Sequence, residues 1–395
     1  MTPAPEWDLA YVMPDLILPD GDGGMAGPAW LSTATLNSDH LAIVPPSDAR
    51  VLAIRAAVPA ADALLSGFTD SYGHAVLPSA LICRTAFPDL VGRQAEAIIA
   101  FRNAVALSVV LRTRAVVASG DGAMGPIWTD VFDLHPTTIN RLGELYTGSP
   151  AMLDIRGQGQ RFYGTQSPFV TARVSRLLID SALYRELGAK WQHRYMDRAL
   201  DDERARSLFR SLEVAYRASS LGRVSLPSIH DVGVQIALWV SAIEILVWPT
   251  AHKANWRLAV DLLGSYRWHV SALDDSLYDV FWQQNKPPIR GNAVQRAYAL
   301  INKVRNDFLH GEPVNDQTLT PALAAGSSLI LLAAIVYRTA LAGFLGVTPW
   351  AAGAADLEVS QVIASNFDHA TYAFGLATQF GVVIGDLSDY LAPPT

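Results

Sequence analysis

The residues with the clearest chemical potential lie close together around position 305. Arg305 and His310 combine a permanently charged guanidinium with an imidazole, which exchanges protons near neutral pH. Asn302, Asn306 and His310 are spaced four residues apart, so they would form one polar row on a helix, and Arg305 flanks that row. At about 100° per residue, Arg305 and His310 differ by roughly 140° on an ideal helix. Their side chains therefore converge only if His310 sits on a frayed last turn, or if two protomers face each other across a symmetry axis.

An amphipathic helix is predicted to carry these residues. Apolar side chains recur at spacings of three and four through residues 293–310, which indicates one buried stripe on a helix. The stripe consists of Ala297, Leu300, Ile301, Val304 and Phe308. Gly311 and Pro313 then supply a normal C-terminal stop. Asp307 lies beside Arg305 and is one candidate for its ion-pair partner, with an acidic residue on a neighbouring helix as the other.

Glu244 is the second residue of interest because an apolar segment surrounds it. Residues 232–248 are apolar on nearly every side, which predicts a central, buried helix. A buried, unpaired carboxylate costs several kcal/mol, so Glu244 should have a partner, and Arg305 is the first candidate. Backbone donors or water around Glu244 are the alternative.

Two segments together resemble a known family. Residues 304–311, Val-Arg-Asn-Asp-Phe-Leu-His-Gly, match the Arg-x4-His signature of HEPN domains (higher eukaryotes and prokaryotes nucleotide-binding), including the Asn that often follows the Arg. Residues 238–246, Leu-Trp-Val-Ser-Ala-Ile-Glu-Ile-Leu, look like the Glu-bearing "ALE-L" helix of the Apea-like HEPN group, and the spacing between the two segments matches as well. The resemblance covers residues 201–347, a little over a third of the chain. The long loop around Pro287 and Pro288 departs from the family, and the N-terminal half resembles no enzyme family.

The resemblance implies an all-helical bundle with a metal-independent ribonuclease site. In that reaction the ribose 2′-OH attacks the adjacent phosphate and leaves a 2′,3′-cyclic phosphate. His310 would transfer the proton, Arg305 would bind the phosphate as its charge develops, and Asn306 would orient the phosphate or His310. The residues expected to support this catalytic set are Glu244, Asn302 and Asp307. The resemblance implies RNA as the partner, with no metal and no cofactor.

Three functions stay open from the sequence. The first is a HEPN endoribonuclease, in the role of a toxin or defence effector, whose N-terminal region senses a trigger or holds the domain. The second is a non-catalytic HEPN module that binds a nucleotide or a partner protein. The third is a membrane-associated protein that uses residues 322–347, although Arg338 in that window and the small residues 326–328 favour a buried bundle helix. A site built from two protomers predicts a homodimer.

Composition limits the partners and the compartment. Half of the residues are hydrophobic and 17% are charged, which is typical of a packed globular chain. The net charge of −7 argues against duplex DNA as a stable partner, while one local site for a short RNA segment remains compatible with it. The single cysteine, Cys83, excludes a disulfide within the chain and a cysteine-based zinc site. The first residues carry Glu6 and Asp8 where a signal peptide has an apolar run, so we expect a cytoplasmic protein.

The predicted architecture is α+β. A chain of 395 residues predicts two domains. We expect a mixed α/β domain of unknown role over 1–192, an all-α bundle over 201–347 and a partly helical tail over 353–395. Strands are predicted at 7–12, 41–44, 51–57 and 115–118. Helices are predicted at 91–112, 169–187, 201–218, 232–248, 256–266, 293–310 and 323–345, with a loop over 274–290.

Overall fold

The fold is α+β in the computed structural model of the chain. The structure describes residues 6–18, 36–68, 74–85, 94–120, 125–134, 137–139, 145–147, 172–173, 178–197, 202–220, 228–251, 255–268, 270–281, 286–319, 328–347 and 359–382. Two compact units divide the chain. The first comprises Met1–Arg102, Met124–Pro126 and Asp130–Leu177, and the second comprises Asn103–Ala123, Ile127–Thr129 and Leu178–Thr395.

The first unit is built around a four-stranded antiparallel sheet. Its strands are β1 (Trp7–Met13), β3 (Leu36–Asn37), β4 (Leu41–Val44) and β5 (Ser79–Arg84), in the spatial order β1-β5-β4-β3. Two smaller strand pairs lie in the same unit, a parallel pair of β2 (Leu16–Ile17) with β8 (Ala172–Arg173) and an antiparallel pair of β6 (Thr137–Ile139) with β7 (Leu145–Thr147). The unit also contains the helices α1 (Ala49–Ala57) and α2 (Pro59–Ser66). Apolar residues from the sheet and from both helices form one buried cluster, which includes Val12, Val44, Ile54, Leu65 and Ile82. The strands predicted at 7–12 and 41–44 are confirmed.

Two predicted strands are wrong because their residues continue or begin a helix. Residues 51–57 lie in α1, where the carboxylate of Asp48 caps the first turn by accepting a hydrogen bond from the Arg50 backbone N–H at 2.8 Å. The buried residues Val51 and Ile54 are three apart, the spacing of a helix face. Residues 115–118 form the last turn of α3 (Gln94–Ala118), which is buried on most sides, so packing overrides the strand preference of its valines.

The described residues of the second unit are mostly helical. Besides residues 103–118 of α3, its helices are α4 (Ser181–Trp191), α5 (Glu203–Ala218), α6 (Ile229–Ala251), α7 (Trp256–Ser265), α8 (Ser271–Asp275), α9 (Ala293–Leu309), α10 (Asp316–Leu319), α11 (Leu329–Leu345) and α12 (Val359–Phe380). A π-helical turn, Gln192–Met196, follows α4. The strands β9 (Tyr278–Val280) and β10 (Ile289–Gly291) form a hairpin where the sequence predicted only a loop. An ion pair at 2.8 Å between Arg290 and Asp279 joins the two strands of that hairpin.

The helix α6 lies at the centre of this unit, with α5, α9, α11 and α7 packed against it. The prediction of a central helix is confirmed, but the prediction that this helix is buried on nearly every side is wrong. Val234 remains 47% exposed and Trp248 40% exposed, because the described helices cover only part of the circumference of α6.

A buried ion pair ties α11 to the residues just before α4. Arg338 Nε donates to Asp180 Oδ2 at 2.9 Å, and the two side chains are 2% and 0% exposed. Arg338 also donates to the Tyr266 hydroxyl at 2.7 Å and stacks 4.4 Å from the ring centroid of Tyr372. Residues 178–192 therefore fall in the helical unit, whereas the sequence analysis assigned them to the first domain. Within the helix predicted at 169–187, residues 172–173 form β8 and α4 begins at Ser181, where the carboxylate of Asp180 caps it. Residues 169–171 and 174–177 lie outside the described residues.

Two apolar helices bear on the membrane alternative. The segment 322–347, which the membrane alternative would use, contains α11, which has 17 residues and is buried around Arg338. The segment Ile229–Thr250 of α6 is long enough to cross a membrane, with a mean hydropathy of 1.7, and half of its most apolar stretch is buried within the chain. Core helices of soluble proteins meet the same criterion, so the expectation of no membrane partner stays a prediction.

Candidate functional site

The helix α9 positions the predicted catalytic residues, and side chains define both of its ends. Asn292 Oδ1 accepts from the Gln295 backbone N–H at 3.1 Å, and Gln295 Oε1 accepts from the Asn292 backbone N–H at 2.9 Å. This reciprocal capping box fixes the first turn. The helix ends at Leu309, with His310 as its C-cap and Gly311 at a φ of +78°, a backbone conformation that favours glycine. The predicted bounds of this helix are therefore confirmed to within one residue.

The apolar stripe of α9 holds it against α6. The predicted members of that stripe are fully or partly buried: Ala297, Leu300, Ile301, Val304 and Phe308. Phe308 lies directly over Gly233 of α6, where an added Cβ would come within 2.4 Å of the aromatic ring. The start of α6 and the end of α9 approach this closely because position 233 carries no side chain.

An ion pair joins the two helices at the site. Arg305 Nη2 donates to Glu244 Oε1 at 2.5 Å, and Arg305 Nη1 donates to Asn306 Oδ1 at 3.1 Å. The side chains of Arg305 and Glu244 are 20% and 17% exposed, so water screens this pair less than a surface ion pair. Arg305, which the sequence predicted as the first candidate partner of Glu244, is the observed partner.

Burial dominates the electrostatics of Glu244. Desolvation raises the pKa of its carboxyl, and the charge and hydrogen bond of Arg305 offset that rise without cancelling it. The ionised carboxylate is thus less favourable in the folded chain than in water. An ion pair whose carboxylate is destabilised by burial contributes little to the stability of the fold. The presence of Glu244 is better explained by a role in holding the guanidinium of Arg305.

Tyr298 belongs to the same cluster, although sequence reasoning did not single it out. Its side chain is fully buried, and its hydroxyl has no hydrogen-bond partner among the described residues. Burial raises the pKa of this hydroxyl, the charge of Glu244 raises it further, and the charge of Arg305 lowers it. Tyr298 precedes Arg305 by seven residues, which places the two on one face of α9. That spacing was the available signal, but an aromatic residue beside an apolar stripe resembles ordinary core.

The two remaining supporting residues take different positions. Asn302 is buried, with 8% of its surface exposed. Asp307 forms an ion pair with Lys303 at 2.5 Å, one helical turn away, whereas Arg305 pairs with Glu244. The side chain of Asp307 is 16% exposed and that of Lys303 is 69% exposed, so water can solvate the lysine of this pair. The sequence left two possible partners open for Arg305, and the observed one is Glu244 on the neighbouring helix.

His310 stands apart from the ion pair. Its backbone N–H donates to the Asn306 carbonyl at 2.9 Å, while its side chain is exposed. Among the described residues its imidazole makes no hydrogen bond or ion pair. The structure thus brings Glu244, Arg305 and Asn306 together within one chain and leaves His310 outside that group. This matches the divergence of about 140° expected for Arg305 and His310 on one helix.

The site offers a partly shielded guanidinium and an amide, whose N–H groups are hydrogen-bond donors for an anion, and an exposed imidazole lies at the end of the same helix. In the described part of the chain, no three His, Cys, Asp or Glu side chains gather as ligands. The planar fork of N–H donors on an arginine suits an oxyanion such as a phosphate ester. Comparison of the chain with protein-family models, with curated proteins and with solved structures finds no match.

Proposed function

We propose that this chain is a metal-independent endoribonuclease of the HEPN type, with its site at the junction of α6 and α9. The ion pair between Glu244 and Arg305 is the observation that carries the proposal. These residues lie 61 positions apart and belong to the two segments that resemble the family. A shared site requires the two segments to meet, and this ion pair supports that arrangement.

In the proposed reaction the ribose 2′-oxygen attacks the phosphorus of the neighbouring phosphodiester. A base takes the 2′-OH proton, the bond from phosphorus to the 5′-oxygen breaks, and that oxygen takes up a proton from an acid. The products carry a 2′,3′-cyclic phosphate and a 5′-OH. His310 is proposed as a proton-transfer group because imidazole ionises near neutral pH. Arg305 is proposed to bind the non-bridging oxygens, where negative charge grows in the transition state.

A homodimer is part of the proposal because one chain leaves His310 away from Arg305. A two-fold axis beside α9 can set the His310 of one protomer against the Arg305 of the other without distorting either helix. The same axis would create two equivalent sites. Cleavage of cellular RNA by such a dimer would suit a toxin or defence effector.

The face of α6 next to Glu244 is proposed as the dimer interface. A row of residues on this face advances in alternating steps of four and three: Val234, Leu238, Ser241, Ile245 and Trp248. That spacing is typical of the seam between two coiled helices. Ser241 is the polar member of the row, and its hydroxyl donates to the carbonyl of Ala237 in the same helix at 2.8 Å. The row is therefore suited to pair with the same row of a second copy of the chain.

A non-catalytic module that binds a nucleotide or a partner is the alternative. The position of His310 favours this alternative, because its exposed side chain makes no hydrogen bond with Arg305 in one chain. An acid–base catalyst must reach the oxygens of a phosphate that Arg305 binds. In that case Arg305 would bind a phosphate group and no bond would break.

The experiment that separates the two is expression in cells followed by analysis of total RNA. We expect fragmented RNA with the wild type and intact RNA with Arg305→Ala and with His310→Ala. Arg257→Ala and His193→Ala are matched controls, because these side chains are 59% and 53% exposed and lie outside α6 and α9. Both controls should fragment RNA like the wild type. Intact RNA in cells that contain folded wild-type protein favours the binding module.

A further inference from the structure

The hydroxyl of Tyr298 is buried without a partner in the described part of the chain. Polar groups that are removed from water normally form hydrogen bonds, so a tyrosine kept in this state needs a reason. Phenylalanine has the same ring and would avoid the cost of burying an unsatisfied hydroxyl. Packing alone therefore explains the ring of Tyr298 but not its oxygen.

The surroundings of this hydroxyl suggest what the oxygen does. Gly233 lies against Phe308 and Glu244 bonds to Arg305, so α6 and α9 run past each other in opposite directions and Glu244 lies toward the Tyr298 side of the contact. Glu244 and Arg305 both act electrostatically on the buried hydroxyl of Tyr298. Arg305 Nη2 is engaged by Glu244 and Nη1 by Asn306, while Nε is buried without a partner among the described residues. An oxyanion bound by the guanidinium fork needs two adjacent N–H groups. The bonds to Glu244 and Asn306 use two of the five N–H groups of Arg305, and a phosphate group that binds through Nη2 competes with Glu244 and displaces it.

That step would leave Glu244 as a partly buried carboxylate without its cation. Loss of the partner of a buried charge is strongly unfavourable, so it would oppose anion binding unless another donor takes over. Tyr298 carries an O–H that is not committed to another described residue. A change of rotamer at Glu244 is the movement that would bring its carboxylate to this hydroxyl.

We propose that Tyr298 is a positioning residue which donates to Glu244 when Arg305 turns to a phosphate group. Tyr298 acts through Glu244 and does not itself touch the ligand. The inference rests on the proposed function only in taking a phosphate ester as the ligand of Arg305. It predicts that the tyrosine oxygen matters for anion binding and not for folding.

Tyr298→Phe tests the inference in the full-length chain, with inorganic phosphate as the probe. We expect this variant to bind phosphate about tenfold more weakly than the wild type in a calorimetric or ³¹P NMR titration, which is the scale of one lost hydrogen bond to a charged group. Its melting temperature should equal or exceed that of the wild type. In a Glu244→Gln background the same substitution should change the affinity less than about twofold, because no charge is then left unpaired.

Tyr337→Phe is the matched control. Tyr337 is equally buried, but its hydroxyl lies 3.0 Å from Ser211 Oγ, so this variant should lose stability and keep its affinity for phosphate. Two results overturn the inference. One is a wild type that binds no phosphate, and the other is a Tyr298→Phe variant with unchanged affinity. A wild type that binds phosphate, shows the Tyr298→Phe effect and cleaves no RNA supports the inference and refutes the ribonuclease.

Discussion

Asp180→Ala should destabilise the helical unit more than any ordinary loss of a helix cap. The carboxylate of Asp180 has two functions, since Oδ1 accepts from the Leu183 backbone N–H at 3.0 Å and Oδ2 accepts from Arg338 at 2.9 Å. Loss of a cap costs about 0.5–2 kcal/mol, and removal of one partner of a buried ion pair costs about 3–5 kcal/mol. Arg338 and Asp180 are 2% and 0% exposed, so water cannot replace the lost charge. We expect a total loss of about 4–6 kcal/mol in the free energy of unfolding.

Asp202→Ala is the matched control for this experiment. Asp202 caps α5 by accepting from the Ala205 backbone N–H at 2.7 Å, and it is exposed. Its replacement should cost about 1 kcal/mol, so the difference between the two variants isolates the ion pair with Arg338. Urea denaturation followed by circular dichroism gives both values. Equal losses for Asp180→Ala and Asp202→Ala would refute the reasoning.

Three further predictions concern α6 and its neighbours. Burial raises the pKa of Glu244 above the ordinary value of 4.5, so the folded chain holds this proton to higher pH than the unfolded chain does. The free energy of unfolding of the wild type minus that of Glu244→Gln should therefore fall as the pH rises above the ordinary carboxyl pKa of 4.5, and a difference that rises with pH contradicts this. Gly233→Ala would place a Cβ 2.4 Å from an aromatic ring of α9. It should cost about 1–3 kcal/mol by chemical denaturation, whereas Gly188→Ala, which meets nothing within 4 Å, should be neutral or stabilising. Val234→Glu should convert the proposed homodimer to a monomer in light scattering, while Leu52→Glu, 50% exposed on α1, should leave the mass unchanged. A wild type that is monomeric at micromolar concentration would remove the basis of a site built from two chains.

Local patterns allowed much of α9 and its neighbourhood to be predicted. The apolar stripe and Gly311 fixed the bounds of the helix, because both signals act within a few residues. The pairing of Glu244 with Arg305 could be anticipated because a carboxylate in an apolar helix needs a cation. The 140° divergence of Arg305 and His310 also follows from helix geometry alone, and it agrees with the separate position of His310 in one chain.

Features that depend on tertiary packing could not be predicted in the same way. Residues 51–57 and 115–118 have a local preference for strands, but a capping aspartate and burial on most sides make them helical. The bond between Asp180 and Arg338 spans 158 residues, and no local pattern connects them. Tyr298 has the sequence pattern of an ordinary core residue, because the partner of a tyrosine hydroxyl depends on the tertiary structure around it.

Cleavage of a defined RNA by purified protein in the presence of EDTA tests the central claim most directly. The end groups of the products should be identified for the wild type, His310→Ala and the matched control His193→Ala. We expect the wild type and the control to give 2′,3′-cyclic phosphate and 5′-OH ends without added metal, and His310→Ala to give no product. Cleavage that requires Mg²⁺, or that persists unchanged in His310→Ala, would contradict a metal-independent site that depends on this histidine.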